Sequence, residues 1–79
     1  MGKQMTVMAT EREHLAQAMR HIAQAQARVR EQRALIERLA ERGQDTKLAE
    51  VLLHTMQISL DRMNEHRVMI ERAIAAGRK

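Results

Sequence analysis

The chain lacks several residue types on which small domains usually depend. Its 79 residues include no cysteine, no proline and no Phe, Tyr or Trp. Without cysteine there is no disulfide, and without aromatic side chains the core must be built from aliphatic residues, Met and Ala. Domains of this size are marginally stable unless a disulfide, a metal or self-association supports them. The composition therefore favours self-association.

Long apolar runs are also missing. No run approaches the ~20 residues that a transmembrane helix needs. The first ten residues lack the charged start and continuous apolar stretch of a secretory signal. The sequence therefore predicts a cytoplasmic protein with no membrane partner.

A seven-residue repeat of apolar side chains runs on both sides of Gly43. A period of seven, with charged residues between the apolar positions, predicts helices that pack along a narrow seam. A shift of 34 residues superposes the second series on the first and Gly77 on Gly43. The two series are Leu15, Ile22, Val29 and Ile36, and then Ala49, Met56, Met63 and Ile70.

The positions of helix-capping residues predict one all-α domain over residues 10–77, preceded by a flexible N-terminus over residues 1–9. Thr10 precedes Glu13 by three residues, the spacing of a capping box. Gly43 is suited to the left-handed residue that closes a helix. Asp45 and Thr46 are candidates to cap the second helix. We expect helices at about 11–42 and 46–76 that form a long antiparallel αα-hairpin, coiled-coil-like in its packing.

The heptad assignment predicts which residues face each other. Leu15 and Ala49 are placed at position a, and a turn near residue 44 brings residues whose numbers sum to about 88 opposite one another. Large side chains then meet small ones in nearly every layer. Polar residues among the d positions are expected to fix the register. The d positions are Ala18, Ala25, Gln32, Leu39, Leu52, Ser59, His66 and Ala73.

Apolar side chains also lie outside this seam. A helix that is apolar this far round its circumference is usually buried by more than one neighbour. We therefore expect isologous homodimerisation into a four-helix bundle, with another helical protein as a further possible partner. The expected interface residues are Ala16, Met19, Ala23, Val51, Leu53, Ile58, Leu60 and Ile74.

Catalytic and metal-binding patterns are sparse. Ser59 is the only serine, no glycine-rich loop is present, and a rod offers no cleft, so the sequence does not predict an enzyme. Glu11 and His14 have the spacing of a carboxylate-bridged di-iron site, but no acid follows on the seam from Leu15 to Ala40. We expect no metal and no other cofactor. A non-catalytic interaction or scaffold role is the preferred hypothesis.

A second hypothesis is a small nucleoid-type or regulatory DNA-binding protein. The net charge is +4, and no acidic residue lies between His14 and Arg30. Base stacking is not expected, because there are no aromatic platforms. Any contact would be with phosphates. The candidate residues are Arg20, Arg28, Arg30 and Arg33.

The amino-acid sequence also resembles a group of short bacterial helical-hairpin proteins with no assigned activity. The resemblance covers roughly residues 14–74 and rests on the runs HIAQAQARVREQRALIERLAERGQDT and AEVLLHTMQISLDRMNEHRVMIERAI. The shared elements are an initial HI, a Q-R-x-L-I-x-R-L centre, a G-x-D-T turn and a late E-H-R. The resemblance implies a bacterial hairpin protein and adds no chemistry.

Overall fold

Two long helices make up the computed structural model, which describes the backbone of residues 2–77 and the side chains of residues 10–77. Helix α1 spans Gly2–Glu41 and helix α2 spans Lys47–Ala76. They pack against each other as an all-α hairpin, and the molecule is a rod of 64 × 14 × 14 Å. The predicted fold class is confirmed at this level.

The turn between the helices follows from the residues at the end of α1. Gly43 has φ of +69°, a conformation that disfavours residues with a Cβ. Its N–H donates to the carbonyl of Ala40 at 3.0 Å, and the N–H of Gln44 donates to the carbonyl of Leu39 at 2.9 Å. This pair of bonds is a Schellman motif, which satisfies carbonyls at the helix end. The role predicted for Gly43 is confirmed.

Helix α2 is capped from one residue before its N-cap position. The Oδ1 atom of Asp45 accepts a hydrogen bond from the backbone N–H of Lys47 at 3.0 Å. Thr46 occupies the N-cap position, and its side chain makes no capping hydrogen bond. Of the two predicted capping residues, Asp45 is therefore the one whose side chain accepts a hydrogen bond from the first turn of α2.

Helix α1 begins earlier than the expected position near residue 11. Its first residue is Gly2, so Thr10 lies within the helix and does not cap its start. The stretch before Thr10 contains no proline and several good helix formers, among them Met, Lys, Gln and Ala, so no residue opposes the extension. The flexibility expected for residues 1–9 stays a prediction.

The seam of α1 is the one that the heptads predict. Ile22, Val29 and Gln32 are buried. The remaining a and d positions of this helix are half-buried, namely Leu15, Ala18, Ala25, Ile36 and Leu39. The seven-residue repeat therefore identifies the inward face of α1.

The seam of α2 is rotated by one residue from the predicted one. The expected d positions Leu52, Ser59, His66 and Ala73 are all exposed. Their places are taken by the next residue along the chain in each turn, and the shielded set is Ala49, Leu53, Met56, Leu60, Met63, Arg67, Ile70 and Ile74. The predicted a positions of α2 are confirmed, and the predicted d positions were wrong.

The volume of apolar side chains explains the rotation. The observed set adds Leu53, Leu60 and Ile74 to the seam, whereas the predicted set offered one large aliphatic residue, Leu52. Each large aliphatic side chain contributes about 1.5–3 kcal/mol when it is fully buried. The rotation that hides three such residues is therefore preferred over the one that hides a single leucine.

Arg67 is the polar residue that this rotation brings to the seam. Its guanidinium extends outward to Glu71 at 3.0 Å, while a second nitrogen lies 3.5 Å from Oδ1 of Asn64. The aliphatic stem can pack beside the seam while the charge stays near solvent. An arginine is therefore tolerated at a position that is otherwise apolar.

One polar contact joins the two helices across the seam. Nε2 of Gln32 donates to the backbone carbonyl of Ala49 at 2.9 Å. Gln32 is 9% exposed, so this bond is largely shielded from water. The predicted seam position of Gln32 is confirmed, whereas Ser59 and His66 lie outside the seam and cannot fix the register from within it.

Candidate protein-interaction surface

One long side of the hairpin carries an apolar groove close to the turn. We call this side the apolar side. Both helices contribute large aliphatic side chains to the groove, with Gln32, Asp45, Ala49 and Thr55 around them. The aliphatic residues are Leu35, Leu39, Leu48, Val51 and Leu52.

The same side becomes less apolar farther from the turn. Thr55 lines both the apolar groove and a second groove that continues along the rod. The second groove retains Ala25, Met56 and Met63 at its floor, but its other lining residues are polar or charged. These are His21, Gln24, Arg28 and Ser59. The apolar side therefore has a strongly apolar turn half and a far half in which apolar and polar side chains are mixed.

The opposite long side, which we call the polar side, combines charges of both signs. Arg30 and Arg33 of α1 line a groove together with Asp61 of α2. Gln26 and Gln57 add amide groups, and the seam residues Val29 and Leu60 also contribute to its lining. This side resembles an ordinary solvated surface.

Several large apolar side chains of α2 are exposed. Their exposed fractions are 83% for Leu48, 62% for Val51, 51% for Leu52, 40% for Ile58 and 66% for Met69. We call these five residues the α2 outer stripe. Ile58 follows Val51 by seven residues and Met69 follows Ile58 by eleven, so all three lie on one face of the helix. Exposed polar and charged residues separate Ile58 from Met69 on this face, so the contiguous apolar patch is the end at Leu48, Val51 and Leu52. Contiguous patches of this kind mark interaction sites, whereas isolated residues do not.

The total accessible surface supports the same conclusion. It is 6522 Å², whereas a compact monomer of 9.1 kDa would expose about 4,900 Å². A two-helix rod has too little depth to bury the apolar residues of α2 on all sides. Part of the excess is apolar surface of α2 that the hairpin leaves exposed.

The structure divides the expected interface residues among three places. Leu53, Leu60 and Ile74 lie in the seam of the hairpin itself, so they are already used. Val51 and Ile58 belong to the α2 outer stripe. The other three, Ala16, Met19 and Ala23, are exposed on α1.

Helical spacing assigns the three α1 residues to the polar side. Met19 precedes Gln26 and Arg33 by seven and fourteen residues, and Ala16 and Ala23 have the same relation to Arg30. Gln26, Arg30 and Arg33 line the groove of the polar side. The eight residues therefore do not form one surface.

Four aliphatic residues of the apolar groove were absent from the expected interface, namely Leu35, Leu39, Leu48 and Leu52. Leu39 and Leu52 were assigned to the seam. The sequence offers two possible seams for α2, and they differ in their large aliphatic residues. The alternative seam has three such residues, whereas the predicted seam has only Leu52. Counting these residues would have placed Leu52 outside the seam. The signal was therefore present in the sequence.

The candidate nucleic-acid residues do not share a face. All four arginines are exposed. Arg28 lines the far half of the apolar side, whereas Arg30 and Arg33 line the polar side. Arg20 is exposed and lines neither of these grooves. Such a division gives no single stripe that could follow a phosphate backbone.

Metal-binding clusters and membrane-spanning helices are absent from the described residues. Among them, no group of three or more His, Cys, Asp or Glu side chains is placed to hold a metal ion. Over the same residues, neither helix combines the length and apolar character needed to cross a membrane. All four histidines, His14, His21, His54 and His66, are exposed.

Comparison with known proteins adds no relative. No protein-family model, curated protein or solved structure matches this chain. The resemblance to short bacterial hairpin proteins therefore stays a prediction.

Proposed function

We propose that this protein is a non-catalytic interaction module that acts as a homodimer, in which two hairpins pack through their apolar sides into a four-helix bundle. The observation that carries the proposal is the apolar end of this side, where Leu48, Val51 and Leu52 of the α2 outer stripe are 51–83% exposed. A second copy would cover these residues and supply the layer of helices that the rod lacks.

The free energy gained by burying these apolar side chains is comparable to the cost of association. Complete burial of one large aliphatic side chain contributes about 1.5–3 kcal/mol. The exposed fractions of Leu48, Val51 and Leu52 then give on the order of 10 kcal/mol for a symmetric pair. Association costs about 4–15 kcal/mol in lost translational and rotational freedom. Leu35 and Leu39 in the adjoining groove add further apolar area.

The first test is the mass of the protein in solution. Sedimentation equilibrium at micromolar concentration should give twice the chain mass of 9.1 kDa. A monomer that is fully helical by circular dichroism at this concentration would contradict the proposal.

A pair of matched variants locates the interface. Leu48→Lys places a charge on the stripe, and the side chain is already 83% exposed, so the hairpin itself should be unaffected. We expect the dimer to weaken by at least ~100-fold, because a buried unpaired charge is costly. Met19→Lys is the control, since Met19 is 55% exposed on α1 at the edge of the polar side. Dissociation by the control alone would show that the interface is elsewhere.

The alternative function is DNA binding through the first helix. The exposure of Arg20, Arg28, Arg30 and Arg33 favours it, but their distribution over the rod does not. A gel shift on random duplex at several salt concentrations separates the two functions. Binding at physiological salt that falls steeply as salt rises would support the alternative. The homodimer proposal predicts no shift under those conditions.

A further inference from the structure

The apolar side differs along the length of the rod, and this difference bears on how two copies can meet. The turn half presents the leucines and the valine of the apolar groove. The far half presents His21, Gln24, Arg28 and Ser59. Two copies can pack through their apolar sides with their turns either at the same end or at opposite ends. The two arrangements bury different pairs of surfaces.

With the turns at the same end, the symmetry axis runs parallel to the rod and like halves meet. Helix α2 of one copy then packs on α1 of the other. The apolar groove of each copy groups Leu35 and Leu39 of α1 with Leu48 and Leu52 of α2, so these residues of both copies lie at the same end of the bundle. The aliphatic residues of both grooves therefore form one continuous apolar cluster.

With the turns at opposite ends, unlike halves meet. The apolar turn half of each copy would cover the far half of the other, so Arg28 and His21 would lose water beside aliphatic side chains. Burial of polar groups without partners costs several kcal/mol. In the variant of this arrangement that stacks α2 on α2, the midpoint of Lys47–Ala76 falls beside Arg62. Full overlap then brings Arg62 next to its own symmetry mate, and like charges repel.

We infer that the second copy docks with its turn at the same end as the first, so that Leu35, Leu39, Leu48, Val51 and Leu52 of both copies form one apolar cluster near the turns. This inference rests on the proposed homodimer and adds its orientation. The far halves then meet each other, and Arg28 and Ser59, which line the same groove, lie at the same end in both copies. Each polar group there has a polar neighbour.

Single labels can measure the orientation, because the chain contains no cysteine. Gln44→Cys introduces one thiol at an exposed position in the turn. After attachment of a nitroxide, pulsed dipolar spectroscopy gives the distance between the two labels of a dimer. Turns at the same end place the labels within roughly 20 Å, since packed helices are 8–10 Å apart. Turns at opposite ends place them about 45 Å apart, the length of a 30-residue helix.

Energy transfer between labels at opposite ends of the two copies is a complementary measurement. Ala76→Cys marks the other end of α2 at an exposed position. A dimer that combines a donor at residue 44 with an acceptor at residue 76 should show weak energy transfer if the inference holds. Strong transfer in this pair, together with a long distance between the residue-44 labels, would overturn the orientation and leave the dimer intact. A labelled sample that sediments as a monomer would overturn the homodimer itself.

Discussion

The two helices of the hairpin differ in how they use the same heptad pattern. Helix α1 buries its a and d positions and has a largely polar exterior. Helix α2 buries its a positions together with the residue that follows each expected d position, and it leaves Leu48, Val51 and Leu52 exposed. Among residues 10–41 of α1, Met19 is the one large apolar side chain that is exposed. The apolar residues of α2 exceed what one partner helix can cover.

The difference shows that an internal repeat does not guarantee equivalent environments. A shift of 34 residues relates Gln32 to His66 and Gly43 to Gly77. Gln32 is buried and bonded to Ala49, whereas His66 is exposed. Gly43 has φ of +69°, whereas Gly77 has φ of −73°. The repeat is a property of the pattern, and packing makes its two halves unequal.

The largest expected effect comes from a test of the rotated seam of α2. Leu60→Asp places a carboxylate in the seam, and we expect a loss of at least ~3 kcal/mol from the removed side chain and the desolvated charge. Ser59→Asp changes the preceding, exposed residue and should alter the free energy of unfolding by about 0.5 kcal/mol or less. Urea titration of helical circular dichroism at one protein concentration measures both.

If Ser59→Asp lowered the free energy of unfolding more than Leu60→Asp, the seam that the heptads alone predict would be supported instead. A fixed concentration matters, because the stability of a dimer depends on it.

An intermediate effect is expected at the pair Gln32 and His66. Gln32→Ala removes the hydrogen bond to Ala49 and part of the packing around it, so we expect a loss of about 1–2 kcal/mol. His66→Ala removes an exposed side chain and should stay within about 0.5 kcal/mol of the wild type. Thermal unfolding at matched concentration resolves these values. Equal losses for the two variants would mean that the repeat positions are equivalent after all.

The smallest effect concerns the two glycines that end the helices. An added Cβ at Gly43 would meet no atom within 4 Å, so the cost of Gly43→Ala comes from the left-handed backbone and should be about 1 kcal/mol. Gly77→Ala should be neutral or slightly stabilising, because the helical φ at residue 77 suits alanine. A loss of 1 kcal/mol lowers the melting temperature by about 4–8 °C in a domain of this size. A matching decrease for Gly77→Ala would contradict the difference in φ.

Local signals in the sequence predicted most of the fold. The seven-residue period identified two helices and the inward face of α1, and Gly43 and Asp45 marked the turn. The start of α1 was missed, because the spacing of Thr10 and Glu13 indicates a cap only where the preceding residues leave the helix. The expected interface stays a prediction. Of its residues, Val51 and Ile58 are exposed on α2, whereas Leu53, Leu60 and Ile74 lie in the seam.

The sequence by itself determined that the chain forms two amphipathic helices joined at a glycine, because periodicity and the choice of glycine act within a few residues of each other. Only the tertiary structure decided which edge of the apolar stripe of α2 faces α1. Two neighbouring stripes of α2 were both compatible with a period of seven, and the choice depends on the total aliphatic volume that contact between the two helices removes from water. That choice also left Leu48, Val51 and Leu52 exposed, and so it created the surface to which the proposed function is assigned.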